Sequence, residues 1–231
     1  MMDTTKQETA RETAYTLVLA SASPRRQKLL AQIGVQFTAQ ASAFDEDTIP
    51  TSLAPREYVQ RLAREKALCV AQTLDARSKT VVLGADTTVV VDGAILNKPT
   101  DAADAAQMLT RLSNRTHEVF TGIALVVLGD GKSGENNGEN DSEQENNTGA
   151  NNKNAQLRVI TDVCRTEVRF RALGADEIRA YVASGSPMDK AGSYGIQDDF
   201  GAVFVSEIHG CYYNVVGLPL SMLYAHLQSI F

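Results

Sequence analysis

The sequence predicts an α/β fold in which a single mixed sheet is flanked by helices. Runs rich in Val, Ile, Leu and Thr, which favour strands, are interspersed with helical patterns along the chain. Two pairs of neighbouring runs have the spacing of hairpins, which favours a mixed sheet over a purely parallel one. With 231 residues, 43% of them hydrophobic, the chain is long enough to bury a substantial core.

Six strands and five helices are expected. The strand-like runs are Leu17–Ala20, Val81–Leu83, Thr88–Val91, Val119–Leu128, Leu157–Phe170 and Ala202–Ile208. The helical patterns are Pro24–Ile33, Pro55–Thr73, Ala102–Leu112, Ala175–Ser184 and Leu218–Leu227. The two hairpin-like pairings lie within Val81–Val91 and within Val119–Phe170.

The first strand and the first helix meet at a turn that could bind anions. Ser23 is the candidate N-cap and Pro24 takes the first helical position. A helix N-terminus favours anions, and the adjacent Arg25 and Arg26, with the hydroxyl of Ser21 nearby, would form a polyphosphate cradle. On the turn alone, a capped surface helix with solvated arginines is an equally good interpretation.

The second helix has local support, because Glu57 and Arg61 are four residues apart. Lys66 continues the helical spacing, and its plain interpretation is a solvated helix face. Downstream, Asp92 and Gly93 form the sequence of a hairpin turn.

Asp86 is the candidate for catalysis. It follows Gly84, which would let the backbone bend or a ligand approach, within an apolar and β-branched stretch. A carboxylate there is costly unless it is paired, so a role in binding a divalent cation or orienting a water is favoured over a simple turn cap.

Further polar groups could complete a site with Asp86. One acid of the cluster Phe44–Asp47 could share a Mg²⁺ ion with it, and Lys98, held extended before Pro99, could reach a phosphate oxygen. Each could equally be an ordinary solvated side chain. The amide of Gln197, in a loop with turn glycines, could read a base edge as donor and acceptor together.

The segment 129–154 differs from the rest of the chain. It holds eight asparagines, and its six acids outnumber its two lysines, so it carries most of the net charge of −6. Such a segment cannot bury enough apolar surface to offset its ordering entropy, and a disordered insert is expected there. We expect residues 1–16 to be a flexible extension and 17–231 to form one domain containing that insert.

Composition excludes several function classes. The negative charge disfavours a nucleic-acid surface, and an anionic substrate would need a locally basic pocket. Three scattered cysteines form neither a metal-ligand spacing nor a disulfide framework. The polar N-terminus and the lack of a membrane-length apolar run lead us to expect a cytoplasmic protein without membrane partners. With no nucleophile–base set and no Walker loop, metal-assisted hydrolysis remains.

Taken together, the motifs resemble the Maf family of nucleotide pyrophosphatases, in family order from Leu17 to about Leu227. The matching segments are Ser21–Arg26, Tyr58–Lys66, Gly84–Thr87, Asn97–Pro99, Asp189–Gln197 and Val216–Pro219. The resemblance implies a mixed twisted sheet with flanking helices and a central cleft, similar to inosine triphosphate pyrophosphatases. It also implies hydrolysis of a nucleoside triphosphate to the monophosphate and pyrophosphate, with a divalent cation, Mg²⁺ or Mn²⁺.

The resemblance also assigns roles to individual positions. Asp86 matches the family's general base, and Glu46 matches its acidic metal-site residue, so that Glu46 and Asp86 are the expected metal ligands. The residues that match its polyphosphate site are Ser21, Arg26, Lys66 and Lys98.

Three positions divide the family by substrate. Arg25, Thr87 and Gln197 agree with the branch that acts on dTTP and UTP, whereas the branch that acts on 7-methyl-GTP has tryptophan, glutamine and glutamate there. The expected function is therefore a house-cleaning pyrophosphatase for dTTP, UTP and modified pyrimidine nucleotides. The alternative is a nucleotide-binding regulator of septum formation without turnover. A homodimer is compatible with the sequence but not specified by it.

Overall fold

The computed structural model describes residues 15–129, 157–197 and 199–231. These residues form the strands β1 (Thr16–Leu19), β2 (Phe37–Ala39), β3 (Thr80–Val91), β4 (Ala94–Leu96), β5 (Thr116–Leu128), β6 (Arg158–Phe170) and β7 (Val205–His209). Their α-helices are α1 (Pro24–Gln32), α2 (Pro55–Ala71), α3 (Ala102–Leu112), α4 (Ala175–Ala183), α5 (Tyr212–Val216) and α6 (Leu220–Ile230). Short 3₁₀ turns cover Glu46–Thr48, Ser186–Asp189, Ala191–Ser193 and Asp199–Phe204.

The strands form one mixed sheet, which confirms the predicted fold class. Their order is β2-β1-β3-β5-β6-β7, with β4 also paired to β3. β1 is parallel to both β2 and β3, and the other pairs are antiparallel. None of the helices within the described ranges is long and apolar enough to cross a membrane.

Helices cover both faces of the sheet, and the side chains of β3 alternate between the apolar clusters that lie on these two faces. Val82 packs with Ala63 and Ala67 of α2. Val81 and Leu83 point to the other face, where the cluster includes residues from four helices: Leu30 of α1, Leu109 of α3, Tyr181 of α4 and Leu223 of α6. The cores therefore lie on either side of β3, which is buried along nearly its whole length.

A gap at one edge of β3 creates the central cleft. β5 pairs with β3 from Thr80 to Val90, whereas on the other edge β1 pairs with β3 only up to Leu83 and β4 pairs with it only from Val89 to Val91. Among the described residues, no strand pairs with this second edge of β3 from Gly84 to Thr88. The side chains of this interval, Asp86 among them, therefore lie where β1 ends and its chain turns into α1.

Two glycines bring α2 against the sheet. A Cβ at Gly84 would overlap the carbonyl oxygen of Ala63 and come within 2.9 Å of the Ala67 Cβ. A Cβ at Gly122 of β5 would overlap the carbonyl oxygen of Val59. Gly84 therefore serves close helix packing, and the predicted bend or ligand approach at this residue is wrong.

Several predicted bounds are corrected. Val81–Leu83 and Thr88–Val91 belong to one strand, because Gly84–Thr87 stays extended and paired to β5. The true hairpin joins β3 to β4 through Asp92 and Gly93, whose φ angles are 53° and 74°. The predicted β5–β6 pairing is confirmed.

Further differences lie near the chain ends. Ala202–Ile208 is part of a 3₁₀ turn followed by β7, and the last helix begins at Leu220 rather than Leu218, because Pro219 is its N-cap. The short elements β2, β4 and α5 were not expected. Thr16 belongs to β1 rather than to the extension. The rest of that extension up to residue 14, and residues 130–154 of the predicted insert, lie outside the described residues.

Candidate active site

All nine predicted site residues line one cleft of about 620 Å³. They come from both sides of the gap in β3: the turn into α1, the loop before α2, α2 itself, β3, and the loops after β4 and α4. The nine are Ser21, Arg25, Arg26, Glu46, Lys66, Asp86, Thr87, Lys98 and Gln197. The structure thus brings the set together, and the role of each member remains a prediction.

A buried ion pair lies on the floor of the cleft. Lys66 Nζ is 2.6 Å from Asp86 Oδ1 and 2.8 Å from Glu46 Oε1. Lys66 and Asp86 are both buried, whereas about half of the Glu46 side chain is exposed. The interpretation of Lys66 as a solvated helix residue is therefore wrong: α2 turns it toward the sheet.

Burial dominates the electrostatics of Asp86. Loss of solvent raises the pKa of this carboxyl above its ordinary value, and the charges of Lys66 and Arg26 oppose that shift. The lysine bonds only one carboxylate oxygen. Asp86 Oδ2 accepts no hydrogen bond from the residues the structure describes, so it is available as a proton acceptor in the cleft.

The carboxylates of Glu46 and Asp86 fit a cation that is shared with a bound substrate. Each carboxylate has one oxygen on Lys66 Nζ, and the second oxygen of each, Glu46 Oε2 and Asp86 Oδ2, has no hydrogen-bond partner among the described residues. Mg²⁺ commonly binds one or two carboxylates together with substrate phosphates. Within the described ranges, no three His, Cys, Asp or Glu side chains are grouped to hold a metal by themselves. The donor set therefore suits a cation completed by phosphate oxygens rather than an all-protein cage.

Arg26 joins three segments of the cleft wall. Its Nε donates to the Gly217 carbonyl at 2.9 Å, one Nη donates to Ser21 Oγ at 3.2 Å, and the other donates to Thr87 Oγ1 at 3.1 Å. Burial lowers the pKa of this guanidinium, and the charge of Asp86 opposes the shift. Helix α1 supplies this arginine from its first turn, where Ser23 and Pro24 take the predicted capping positions.

Thr87 continues this network into the sheet. Its Oγ1 is 2.9 Å from Thr121 Oγ1, and Thr121 donates to the backbone carbonyl of Asn214 at 2.9 Å. Thr121 and Asn214 are fully buried. The position of Thr87 is therefore set by β5 and α5 as well as by Arg26.

Arg25 spans the cleft to the loop after α4. Its Nη1 is 2.8 Å from Asp189 Oδ2, and its Nη2 donates to the Asp189 carbonyl at 3.1 Å. Burial acts to raise the pKa of Asp189, but hydrogen bonds from Lys190 and Arg25 outweigh it, so the pKa lies below its ordinary value. The adjacent arginines thus face different partners, a buried network for Arg26 and an ion pair for Arg25.

Three of the nine predicted site residues retain donors for a ligand. Lys98 and the Gln197 amide make no hydrogen bond or ion pair among the described residues that line the cleft. Ser21 Oγ accepts from the Ser23 amide and from Arg26, each at 3.2 Å, and keeps its own hydrogen to donate. All three residues line the same cleft as Lys66.

The cleft is locally basic in an acidic protein. It is lined by five cationic side chains, Arg25, Arg26, Lys66, Lys98 and Lys190, and by four acidic ones, Glu46, Asp47, Asp86 and Asp189. The whole chain, in contrast, has a net charge of −6. Cationic side chains outnumber acidic ones by one in the cleft, so a polyanion is expected to meet less repulsion there than at the average surface.

Several residues of the cleft wall were not predicted to be functional from the sequence. Tyr58, Asn97, Asp189 and Lys190 lie in segments that match the family's motifs, but only their neighbours received roles. Helical spacing would have found Tyr58, because Tyr58, Leu62 and Lys66 follow one another at intervals of four residues along α2.

Comparison of the amino-acid sequence with known proteins identifies a family. The model of the Maf family, described as "Maf-like protein", matches residues 16–230. A protein of Salinibacter ruber named dTTP/UTP pyrophosphatase is 46% identical over 93% of this chain and 91% of its own length. Proteins with the same name from Moorella thermoacetica and Clostridium perfringens are 47% and 42% identical, over 88% and 92% of this chain and 89% and 96% of their own lengths.

Among solved structures, a HAM1 protein from Coxiella burnetii is similar over 94% of this chain and all of its own, with 16% identity and a TM-score of 0.42. The Ham1 protein of Staphylococcus aureus is similar over 93% of this chain and 98% of its own, with 14% identity and a TM-score of 0.39. These scores are too low to relate the folds element by element.

Proposed function

This chain belongs to the Maf family, and from that premise we propose that it hydrolyses dTTP and UTP to the nucleoside monophosphate and pyrophosphate. Relatives named dTTP/UTP pyrophosphatase share 46% and 47% of its residues over most of its length. One observation carries the proposal most directly: Asp86, buried in a basic cleft, has one oxygen on Lys66 and the other without a partner among the described residues.

Asp86 acts as the general base in this proposal. A water donates a hydrogen bond to Asp86 Oδ2 and gives its proton to that oxygen while the water oxygen bonds to the α-phosphorus. The bond from the α-phosphorus to the oxygen that bridges to the β-phosphate breaks, and pyrophosphate leaves with that oxygen. Burial raises the pKa of Asp86, which makes its carboxylate a stronger proton acceptor than that of an exposed aspartate.

The cationic side chains would hold the polyphosphate. Lys66 and Lys98 supply ammonium donors, Arg26 supplies a guanidinium that is already fixed by Ser21, Thr87 and Gly217, and Ser21 donates its hydroxyl hydrogen. Hydrogen bonds and ion pairs hold Arg26, Lys66 and Ser21 in place before the substrate binds, so little reorganisation of these groups is needed as charge moves to the leaving pyrophosphate.

A divalent cation, Mg²⁺ or Mn²⁺, is the proposed cofactor. Glu46 and Asp86 would hold it, and it would neutralise phosphate charge during the reaction. Lys66, which contacts both carboxylates at 2.6 and 2.8 Å, holds them side by side, and the cation would bind the oxygens that do not face the lysine.

The base is selected on the other side of the cleft. The Gln197 amide offers a donor and an acceptor, which can pair with the N–H and a carbonyl of a pyrimidine. Arg25, through Asp189, connects α1 to the segment that leads to Gln197. The same site would accept modified pyrimidine nucleotides, in keeping with a house-cleaning role.

The test is product analysis with a matched pair of variants. The wild-type protein with dTTP or UTP and Mg²⁺ is expected to release pyrophosphate and no inorganic phosphate. Asp86→Asn is expected to lower kcat at least about 100-fold, the usual contribution of a general base. Asp92→Asn, at the β3–β4 hairpin outside the cleft, should keep the wild-type rate.

Two results would contradict the proposal. Release of single phosphates would refute cleavage between the α and β phosphates, and full activity in Asp86→Asn would refute the assigned base. Tight nucleotide binding with no product over hours would instead favour the regulatory alternative.

A further inference from the structure

Tyr58 is a buried tyrosine of the cleft wall that has no role in the proposed reaction. It lies two turns before Lys66 on the same face of α2, and only 3% of it is exposed. Its phenolic oxygen accepts a hydrogen bond of 2.8 Å from Asn97 Nδ2. Asn97 directly precedes Lys98, so this pair lies beside one of the proposed phosphate-binding lysines.

The direction of that hydrogen bond is set by Thr88. Thr88 Oγ1 donates to Asn97 Oδ1 at 3.1 Å, and its other acceptor, the Leu96 carbonyl, is more distant at 3.5 Å. The carbonyl end of the Asn97 amide therefore faces Thr88, and its amino end faces Tyr58. Thr88 is fully buried, so no water competes for its hydroxyl.

The phenolic hydrogen of Tyr58 has no acceptor among the described residues. Because Asn97 occupies the oxygen as a donor, the hydroxyl can only donate elsewhere. A buried donor left unpaired costs about 1–3 kcal/mol, which a bound acceptor would offset. Burial raises the pKa of Tyr58, and the nearby charges of Asp86 and Glu46 add to the shift, so the hydroxyl keeps its proton.

We propose that Tyr58 is a further substrate-binding residue, whose hydroxyl donates a hydrogen bond to a non-bridging phosphate oxygen of the bound triphosphate. Phosphate oxygens are acceptors only, which matches a hydroxyl whose remaining capacity is to donate. Asn97 and Thr88 are positioning residues that keep the phenolic hydrogen directed into the cleft. This inference rests on the proposed function for the identity of the substrate.

The first test removes the hydroxyl. Tyr58→Phe in the full chain is expected to lower kcat/KM for dTTP by about 10- to 100-fold, the range for a hydrogen bond to a charged group. Tyr224→Phe, on the exposed side of α6, is the matched control and should keep the wild-type value.

The second test asks whether Thr88 acts by orienting the Asn97 amide or only by supporting the fold. Thr88→Val, which does not line the cleft, frees the Asn97 amide to turn its carbonyl toward Tyr58 and take the phenolic hydrogen. It should therefore lower kcat/KM by itself, and add no further loss in the Tyr58→Phe background. Additive losses would overturn the proposal, because they would show that Thr88 acts independently of Tyr58.

Equilibrium binding of tripolyphosphate distinguishes failure of this inference from failure of the proposed function. If the wild-type protein does not turn over dTTP but binds tripolyphosphate, and Tyr58→Phe weakens that binding about 10-fold, the inference survives and the assigned reaction fails. If Tyr58→Phe retains both wild-type kcat/KM and wild-type tripolyphosphate affinity, the inference is overturned and the reaction stands.

Discussion

The Arg25 guanidinium bridges the cleft to Asp189, with Nη1 2.8 Å from Oδ2 and Nη2 3.1 Å from the backbone carbonyl. The two residues are 164 positions apart in the chain. The contact connects the first turn of α1 to the loop that leads to Gln197. It therefore ties the phosphate end of the cleft to the end that we propose selects the base.

Breaking this bridge should affect selectivity more than folding. Arg25→Trp and Asp189→Asn are each expected to reduce the preference for dTTP over dGTP, measured as the ratio of kcat/KM values, by about 10-fold, the effect of losing one charged hydrogen bond. Stability should change by less than about 1 kcal/mol, because 62% of the Asp189 side chain is exposed. An unchanged ratio in both variants would show that the bridge has no part in base selection.

Lys66 should support both stability and activity. Lys66→Met leaves the buried Asp86 carboxylate without its partner, which should lower the free energy of unfolding by about 3 kcal/mol in urea titrations. Lys66→Met/Asp86→Asn should regain more than half of that loss, because no unpaired charge remains. Equal stability of the single and double variants would exclude an electrostatic origin. Neither variant should turn over dTTP at more than a trace rate.

Gly84 should be intolerant of any side chain. In Gly84→Ala the new methyl group would overlap the Ala63 carbonyl and force α2 away from β3, which should destabilise the protein by about 3 kcal/mol. Gly174→Ser is the control, since a Cβ there meets nothing within 4 Å and serine is a good N-cap for α4. A urea midpoint for Gly84→Ala equal to that of the wild type would show that the helix does not lie as close as described.

His117 should make the protein less stable in acid. It is buried against Tyr194, with Nε2 2.8 Å from the hydroxyl, and burial lowers its pKa to about 3. Since an unfolded histidine titrates near pH 6.5, the unfolded state binds one more proton between that pH and about 3. This contribution to stability is complete above pH 6.5 and falls by about 1.4 kcal/mol for each pH unit below it.

The measurement is the free energy of unfolding of wild type and His117→Gln between pH 4 and 8. Glutamine can retain a hydrogen bond to Tyr194 but does not titrate. The difference in the free energy of unfolding between wild type and His117→Gln should therefore narrow as the pH falls below 6.5. Parallel curves over that range would show that His117 is not buried in its neutral form.

Elements whose signals are local could be predicted well. α3 begins and ends as predicted, because Asp101 caps it by accepting from the Asp104 amide at 2.8 Å. β3, in contrast, was divided in two at Gly84. That glycine resembles a strand breaker until α2 is seen to pack against it. Close packing between elements far apart in sequence leaves no local pattern.

The candidate site, too, has features that could be predicted from the sequence and features that could not. The residue order by itself indicated the family, because six short motifs occur in family order, and the resemblance in turn implied which nine residues to expect together. Only the tertiary structure decided how they are paired: that Arg25 faces Asp189 while Arg26 joins Ser21, Thr87 and Gly217, and that Asn97 leaves the Tyr58 hydroxyl free to donate. The physical reason is that hydrogen bonds act over about 3 Å, a distance that only the packing of the sheet and its helices sets.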